Sequence, residues 1–84
     1  MIVDKNNREV LFQGVDGVAV TPSDITVLEP GMLYVGGAGD VTVLFVNGSA
    51  PVTFTAVNAG SFLPIVVKMV YSTGTDATAI VIIR

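Results

Sequence analysis

The stretch that decides the fold is YVGGAGDVTVLF, residues Tyr34–Phe45. Three glycines and one acid between apolar residues suit either a phosphate-binding loop or a tight bend. A phosphate-binding loop leads from a strand into a helix, whose N-terminal amides meet the anion. Here the residues after Asp40 are VTVLFV, which favours a strand, and the glycine spacing fits neither nucleotide-binding fingerprint. The sequence therefore predicts a tight strand-to-strand turn, with positive φ at Gly36, Gly37 and Gly39 and with the Asp40 carboxylate bonded to local amides.

Five segments dense in β-branched and aromatic residues, bounded by turn-forming residues, predict strands. They are MLYV (32–35), VTVLFV (41–46), VTFTAV (52–57), IVVKMVY (65–71) and TAIVII (78–83). Asn47 and Gly48 predict a hairpin between the second and third of these strands, in a loop that Ser49, Ala50 and Pro51 lengthen. No segment has the period of a helix. The expected fold is all-β, a small antiparallel β-sandwich or barrel with an N-terminal arm.

The charges divide the chain near Pro22. Residues 1–21 hold five of the eleven charged side chains, whereas residues 41–84 hold only Lys68, Asp76 and Arg84. We therefore expect residues 1–21 to form an arm or peripheral strands (REVLF and GVAV) and residues 22–84 to form the compact β domain. Within the arm, EVLFQG (9–14) coincides with the recognition sequence of a picornaviral 3C protease, so an engineered insertion and a natural strand are both open interpretations.

Surplus apolar side chains predict self-association. The chain has 84 residues, of which 51% are hydrophobic and 13% charged, and a domain of this size has little interior in which to bury them. Segments 41–46 and 78–83 are apolar on both faces, so the second face of each needs a cover that identical neighbours around a rotational axis would supply. The interface candidates are Tyr34, Leu44, Val46, Ile80 and Ile82.

Composition also narrows the chemistry. The chain has no His and no Cys, which removes a His-based triad, a thiolate metal site and a disulfide. A net charge of −3 without a basic cluster argues against nucleic acid as a partner. No apolar run is long enough for a membrane helix, and MIVDKNNREV is not typical of a signal peptide, so synthesis in a cytoplasm is expected. We expect no catalytic, cofactor or metal site.

Three longer stretches carry a resemblance to a known family. VTPSDIT, LYVGGAGDVTV and VTFTAVNAGSFLPIVVKMVYSTGTDATAIVII resemble the head-spike base proteins of tailed bacteriophages and gene transfer agents, with matches at Leu33–Asp40, Val57–Ile65 and Thr73–Ile80. The sequence departs from that pattern in the N-terminal arm and in VLFVNGSAPV (43–52).

The resemblance implies a non-enzymatic virion protein, a spike base or head decoration subunit that assembles at capsid vertices and carries a spike or fibre. It implies five copies in a ring, with a trimer as the alternative. A soluble carbohydrate- or ligand-binding β module is the alternative function. Aromatic residues make up only 7% of the chain and Trp is absent, so the aromatic platform expected of such a site is poorly supplied.

Overall fold

Every regular element of the structure, a computed structural model that describes residues 2–3, 9–10 and 16–84, is a β-strand. The strands are β1 (Ile2–Val3), β2 (Glu9–Val10), β3 (Gly17–Ala19), β4 (Gly31–Gly37), β5 (Gly39–Phe45), β6 (Val52–Val57), β7 (Ser61–Val70) and β8 (Thr78–Ile83). All strand pairs are antiparallel. The expectation of an all-β antiparallel fold is confirmed. Among these residues there is no helix of the length and hydropathy needed to cross a bilayer.

The predicted strands agree closely with the observed ones, apart from the start of β7. Strands β6 and β8 have the expected bounds, and β5 differs by two residues at its start. Strand β7 begins four residues before the predicted segment and runs through Pro64. Pro64 is tolerated because the β4–β7 register shifts between Gly31 and Leu33, so this part of β7 is a bulge that needs no ladder amide.

One six-stranded sheet, in the order β3-β8-β4-β7-β5-β6, folds into two layers. The first part of β7 pairs with β4, and its last part, from Val67 onward, pairs with β5 on the other side. Strand β7 thus passes from a four-strand layer (β3, β8, β4 and the start of β7) into a three-strand layer (the end of β7, β5 and β6). Only Ala38 separates β4 from β5, and both strands pair with β7 but not with each other.

The core lies between the two layers. The four-strand layer contributes inward residues of β4 and β8, and the three-strand layer contributes inward residues of β5 and β7. The fully buried large side chains are Leu33, Val35, Val41, Val43, Val67, Val70 and Ile82. Burial of each aliphatic side chain of this kind contributes about 1.5–3 kcal/mol by area transfer. Alternating apolar residues on paired strands therefore hold the sandwich closed.

The linker, residues 20–30, has no strand of its own but closes the sheet at one side. The Val20 amide donates to the Ile80 carbonyl (2.9 Å), which extends the β3–β8 pairing. Further along, the Ser23 amide donates to Val70 (2.9 Å) and the Leu28 amide donates to Lys68 (2.7 Å). The linker thus pairs with the end of β7 where β4 cannot reach, and it leads the chain from the four-strand layer to the three-strand layer.

The β5–β6 connection spans residues 46–51 and joins two antiparallel neighbours, with Val43 opposite Val52. The Gly48 amide donates to the Phe45 carbonyl (2.9 Å), which closes the turn. The hairpin predicted at Asn47 and Gly48 is therefore present, and residues 49–51 lengthen its loop as expected.

The segment expected to be an arm contains three short strands. Strands β1 and β2 form a separate two-stranded sheet, whereas β3 is an edge strand of the six-stranded sheet. Most of REVLF and the last four residues of EVLFQG lie outside the residues that the structure describes. The division at residue 22 stays a prediction.

Candidate functional site

The glycine-rich stretch lies where the chain crosses from β4 to β5. Of the three glycines predicted to have a positive φ, Gly36 and Gly37 do not have one, and Gly39 has a φ of 152°, a value that favours glycine. Gly37 has an ordinary φ, but a Cβ there would collide with the Thr78 side chain, so its role is close approach to β8. The corner joins the two layers of the sandwich and leads into a strand. It connects two strands that do not pair with each other, and it has no helix N-terminus to bind a phosphate.

Asp40 fastens this corner to two other parts of the chain. Its carboxylate accepts the Ala56 amide of β6 (2.9 Å), and its carbonyl accepts the Asp76 and Ala77 amides (3.0 and 3.2 Å). The Asp40 amide in turn donates to the Asp76 carboxylate. The carboxylate bond thus reaches 16 residues along the chain instead of the local amides that the sequence predicted. It satisfies an amide at the bulge in β6, where Ala56 has a φ of 54°.

A threonine cluster covers the outer side of β5. Thr42 is buried, its hydroxyl donates to the Gly74 carbonyl (3.1 Å), and its oxygen lies 2.9 Å from the Thr53 hydroxyl. The Thr42 amide donates to the Thr75 hydroxyl (2.9 Å). The β7–β8 loop therefore lies over the three-strand layer and shields part of a face that the sequence left without cover.

Asp24 ties the linker to the same loop. Its carboxylate accepts the Thr73 hydroxyl (2.6 Å) and the Thr73 amide (3.0 Å). These hydrogen bonds hold the pKa of Asp24 below its ordinary value, and the bond from the Thr73 hydroxyl has the largest effect. The ionised carboxylate thus fixes the linker against residues 72–75.

Arg84 fastens the other end of the linker. Its guanidinium lies 3.1 Å from the Asp16 carboxylate and donates to the Glu29 carbonyl (3.3 Å). Backbone bonds in both directions join Asp16 and Arg84. Arg84, the start of β3 and the end of the linker therefore form one connected side of the sandwich.

Two interface candidates, Ile80 and Ile82, lie in the chain's own core. Their exposed fractions are 2% and 0%, because they lie beside Val35 and Leu33, their partners on β4, in the core cluster. They offer no surface to a second copy in the folded chain, and their role in the structure is core packing. The opposite-facing residues of β8, Val81 and Ile83, are the half-buried ones.

The candidates Tyr34, Leu44 and Val46 do reach the surface. Leu44 and Val46 are half-buried on the three-strand layer. Tyr34 is 38% exposed on the outer face of the four-strand layer. Its ring lies beside Gly36 and its hydroxyl lies near Gly60, within 4 Å of where a Cβ would stand at each glycine.

Tyr34 belongs to an uncharged row that crosses four strands. Val81 and Phe62 are its partners on β8 and β7, and Ala19 of β3 pairs with Val81. These four side chains share one outer face because directly paired residues of a sheet point the same way. The row is a continuous apolar strip on the outside of the sandwich.

Other exposed apolar residues were not among the sequence candidates. The structure exposes Val18, Ile25, Val27, Val52, Phe62 and Val66 by more than a third of their surface. Ile25 and Val27 alternate with polar residues between Pro22 and Pro30, a pattern that could have identified a short extended segment. Val52 lies on the apolar face of an alternating segment, so the sequence pattern gives no reason to expect it at the surface.

Comparisons with known proteins show what this chain is similar to. No family model matches the chain, and no curated protein does. Among solved structures, it is similar to a chain in the capsid of a native gene transfer agent particle computed with C5 symmetry. The two chains are 32% identical, the match covers 100% of each, and the TM-score is 0.78.

This similarity first defines the class of the protein, a virion structural protein of the phage and gene transfer agent type. At 32% identity over the full length of both chains, the chain belongs to the family of that capsid chain. The all-β fold with an apolar row on one outer face agrees with that class. Within residues 16–84 and the two short strands before them, no group of three metal-ligating side chains is assembled.

Proposed function

We propose that this chain is a non-enzymatic subunit of a virion, a spike base or head decoration protein at a capsid vertex. The observation that carries the proposal is the full-length match to a gene transfer agent capsid chain. Sequence resemblance to the head-spike base family supports the finer role. In this proposal the chain is made in the host cytoplasm and resides on the capsid surface.

Self-assembly into a ring is the second part of the proposal. The related particle was computed with C5 symmetry, which favours a pentamer over a trimer. Large apolar side chains at the surface, with Ile25 88% and Val27 67% exposed, support assembly, because exposed apolar surface marks an interaction site. The ring would contact capsid proteins on one side and carry a spike or fibre on the other.

Native mass spectrometry of the purified full-length chain tests the ring directly. We expect a single closed oligomer, with the mass of five copies, that persists on dilution. A chain that remains monomeric at all concentrations would contradict the ring and would favour the alternative of a soluble ligand-binding module.

A further inference from the structure

Two groups of exposed apolar side chains lie at opposite sides of the sandwich. The linker edge consists of Val18, Ile25 and Val27, which are 43%, 88% and 67% exposed. The β6 edge consists of Val52 and Val66, which are 43% and 39% exposed. Five of the seven large apolar residues that the structure exposes belong to these two edges, and the other two, Tyr34 and Phe62, belong to the outer row.

The connections of the chain fix the two edges on opposite sides. Strands β3 and β6 are the two ends of the sheet order. The chain passes from the β3–β8 pair at Val20 to the end of β7 at Ser23, a distance of three residues. Strand β3 and the linker therefore lie on the same side of the sandwich. Residues 58–60 join β6 to the start of β7, so those two strands lie together on the other side. The core strands β8, β4 and β5 separate the two sides.

Each edge also presents a strand that is paired on one side only. Strand β3 pairs with β8 alone and β6 pairs with β5 alone, so each has one row of backbone groups that faces outward. The β6 strand is regular from Val52 to Thr55 and is interrupted by the bulge at Ala56. Such edges accept a strand or an extended segment from another chain.

The linker edge has a defined shape. The Ser23 hydroxyl accepts the amides of Ile25 and Thr26 (3.3 Å each), a turn that holds Ile25 outward. The Asp24 bonds to Thr73 fix the base of the same turn. Ile25 is therefore an exposed side chain on a segment that hydrogen bonds hold in place. Binding through Ile25 would lose less conformational entropy than binding through a flexible segment.

Charge and symmetry indicate what covers these edges. From residue 41 to residue 67 the chain has no charged side chain, so the β6 edge offers nothing to a charged partner. The two edges differ in sequence and lie on opposite sides, which suits a heterologous contact. Repeated heterologous contacts close into a ring, whereas a contact between identical patches gives a twofold dimer. The related capsid was computed with C5 symmetry, which is the rotational symmetry of a five-membered ring.

We infer that copies of this chain join head to tail, with the linker edge of one copy, centred on Ile25, against the β6 edge of the next, centred on Val52. The inference rests on the proposed ring and adds which surfaces form it. Each copy would then bury both edges, and the outer row around Tyr34 would stay available to the capsid or to the attached spike.

Complementary single variants test this pairing. Ile25→Glu disables the linker edge and Val52→Glu disables the β6 edge. Native mass spectrometry is expected to show each variant alone as a monomer, because every contact in a head-to-tail ring needs both edges. An equimolar mixture retains one intact pair of edges and is expected to give a one-to-one heterodimer, with no larger ring. Ala38→Glu, an exposed apolar residue at the β4–β5 corner, is the control and should keep the parent's ring.

The outcomes separate this inference from the proposed function. A parent chain that is monomeric contradicts the ring and the head-to-tail contact together. A parent ring that persists in both variants, or variants that are monomeric and stay so when mixed, overturns only the assignment of the edges. Circular dichroism checks that each variant folds. If Val52→Glu does not, Val66→Glu tests the same edge with the same expected heterodimer.

Discussion

At the scale of single residues, Asp40 connects the crossing between the layers to the β6 edge. Its carboxylate is the acceptor for the Ala56 amide, and the sequence could predict the acid but not its distant partner. The reason is that local amides and a cross-strand amide satisfy a turn aspartate equally well, and only the bulge in β6 decides between them.

Replacing Asp40 by Ala is expected to lower the free energy of unfolding by about 1 kcal/mol, because one hydrogen bond is lost and its amide is left to solvent. Urea denaturation of the parent and of Asp40→Ala measures the change. Asp40→Asn is the control, since it keeps an acceptor oxygen and should lose less. Phosphate binding by the parent that disappears in Asp40→Ala would show that the corner is an anion site instead.

Ala56 is held at a φ of 54°, where an L residue with a Cβ is strained. Ala56→Gly is expected to raise the free energy of unfolding by up to about 1 kcal/mol, since the steric cost exceeds the added entropy of the unfolded chain. Ala59→Gly, in the next loop and without a positive φ, should instead destabilise slightly. Equal effects of the two changes in urea denaturation would contradict this account of the bulge.

At the scale of elements, the sequence predicted the bounds of the strands well. It did not predict well which side chains of each strand face the core. Segment 52–57 alternates between apolar and Thr residues, and its bounds were predicted in full. Residues 79–83 are apolar throughout, so their period does not show that Ile80 and Ile82 face inward while Val81 faces outward. The sequence also does not show that β4 and β5 fail to pair with each other, because glycines permit both a hairpin and a change of layer.

The linker is an element whose attachment depends on pH. The pKa of Asp24 is lower in the folded chain than in the unfolded chain, so its bonds to Thr73 stabilise the attachment above the unfolded pKa. That stabilisation is lost as the pH falls through the lower folded value, in the range below about pH 4. Amide exchange at Thr73, followed by NMR from pH 6 downward, should quicken there beyond the intrinsic pH effect. In Asp24→Asn the same amide should lack this additional transition, and a transition that persists in the variant would assign it to another group.

At the scale of the whole molecule, the resemblance and the composition together led to a virion protein with surplus apolar surface, and the match to a capsid chain agrees with that class. What the sequence could not supply is the position of the surplus. The exposed apolar residues lie at the two ends of the folded sheet and along one outer row, whereas Ile80 and Ile82 are buried in the core with the valines.

The N-terminal segment can be tested at this scale. Its strands β1 and β2 pair with each other and not with the six-stranded sheet, so a chain that begins at Asp16 is expected to keep its fold. Removal of residues 1–21 also deletes β3, and we predict a folded but less stable domain, since β3 is an exposed edge strand. Circular dichroism and solubility of the two truncations check this. Loss of the fold in the shorter deletion would mean that the arm supplies core strands.

The central claim is that the chain is a ring-forming part of a virion. Density-gradient purification of particles, followed by isotope-standard mass spectrometry of the chain against the major capsid protein, tests it most directly. The account predicts that the chain co-purifies with intact particles in a fixed ratio, at a copy number that is a multiple of five, as the C5 symmetry of the related particle favours. Recovery of the chain only in the soluble fraction, with none in the particles, would contradict it.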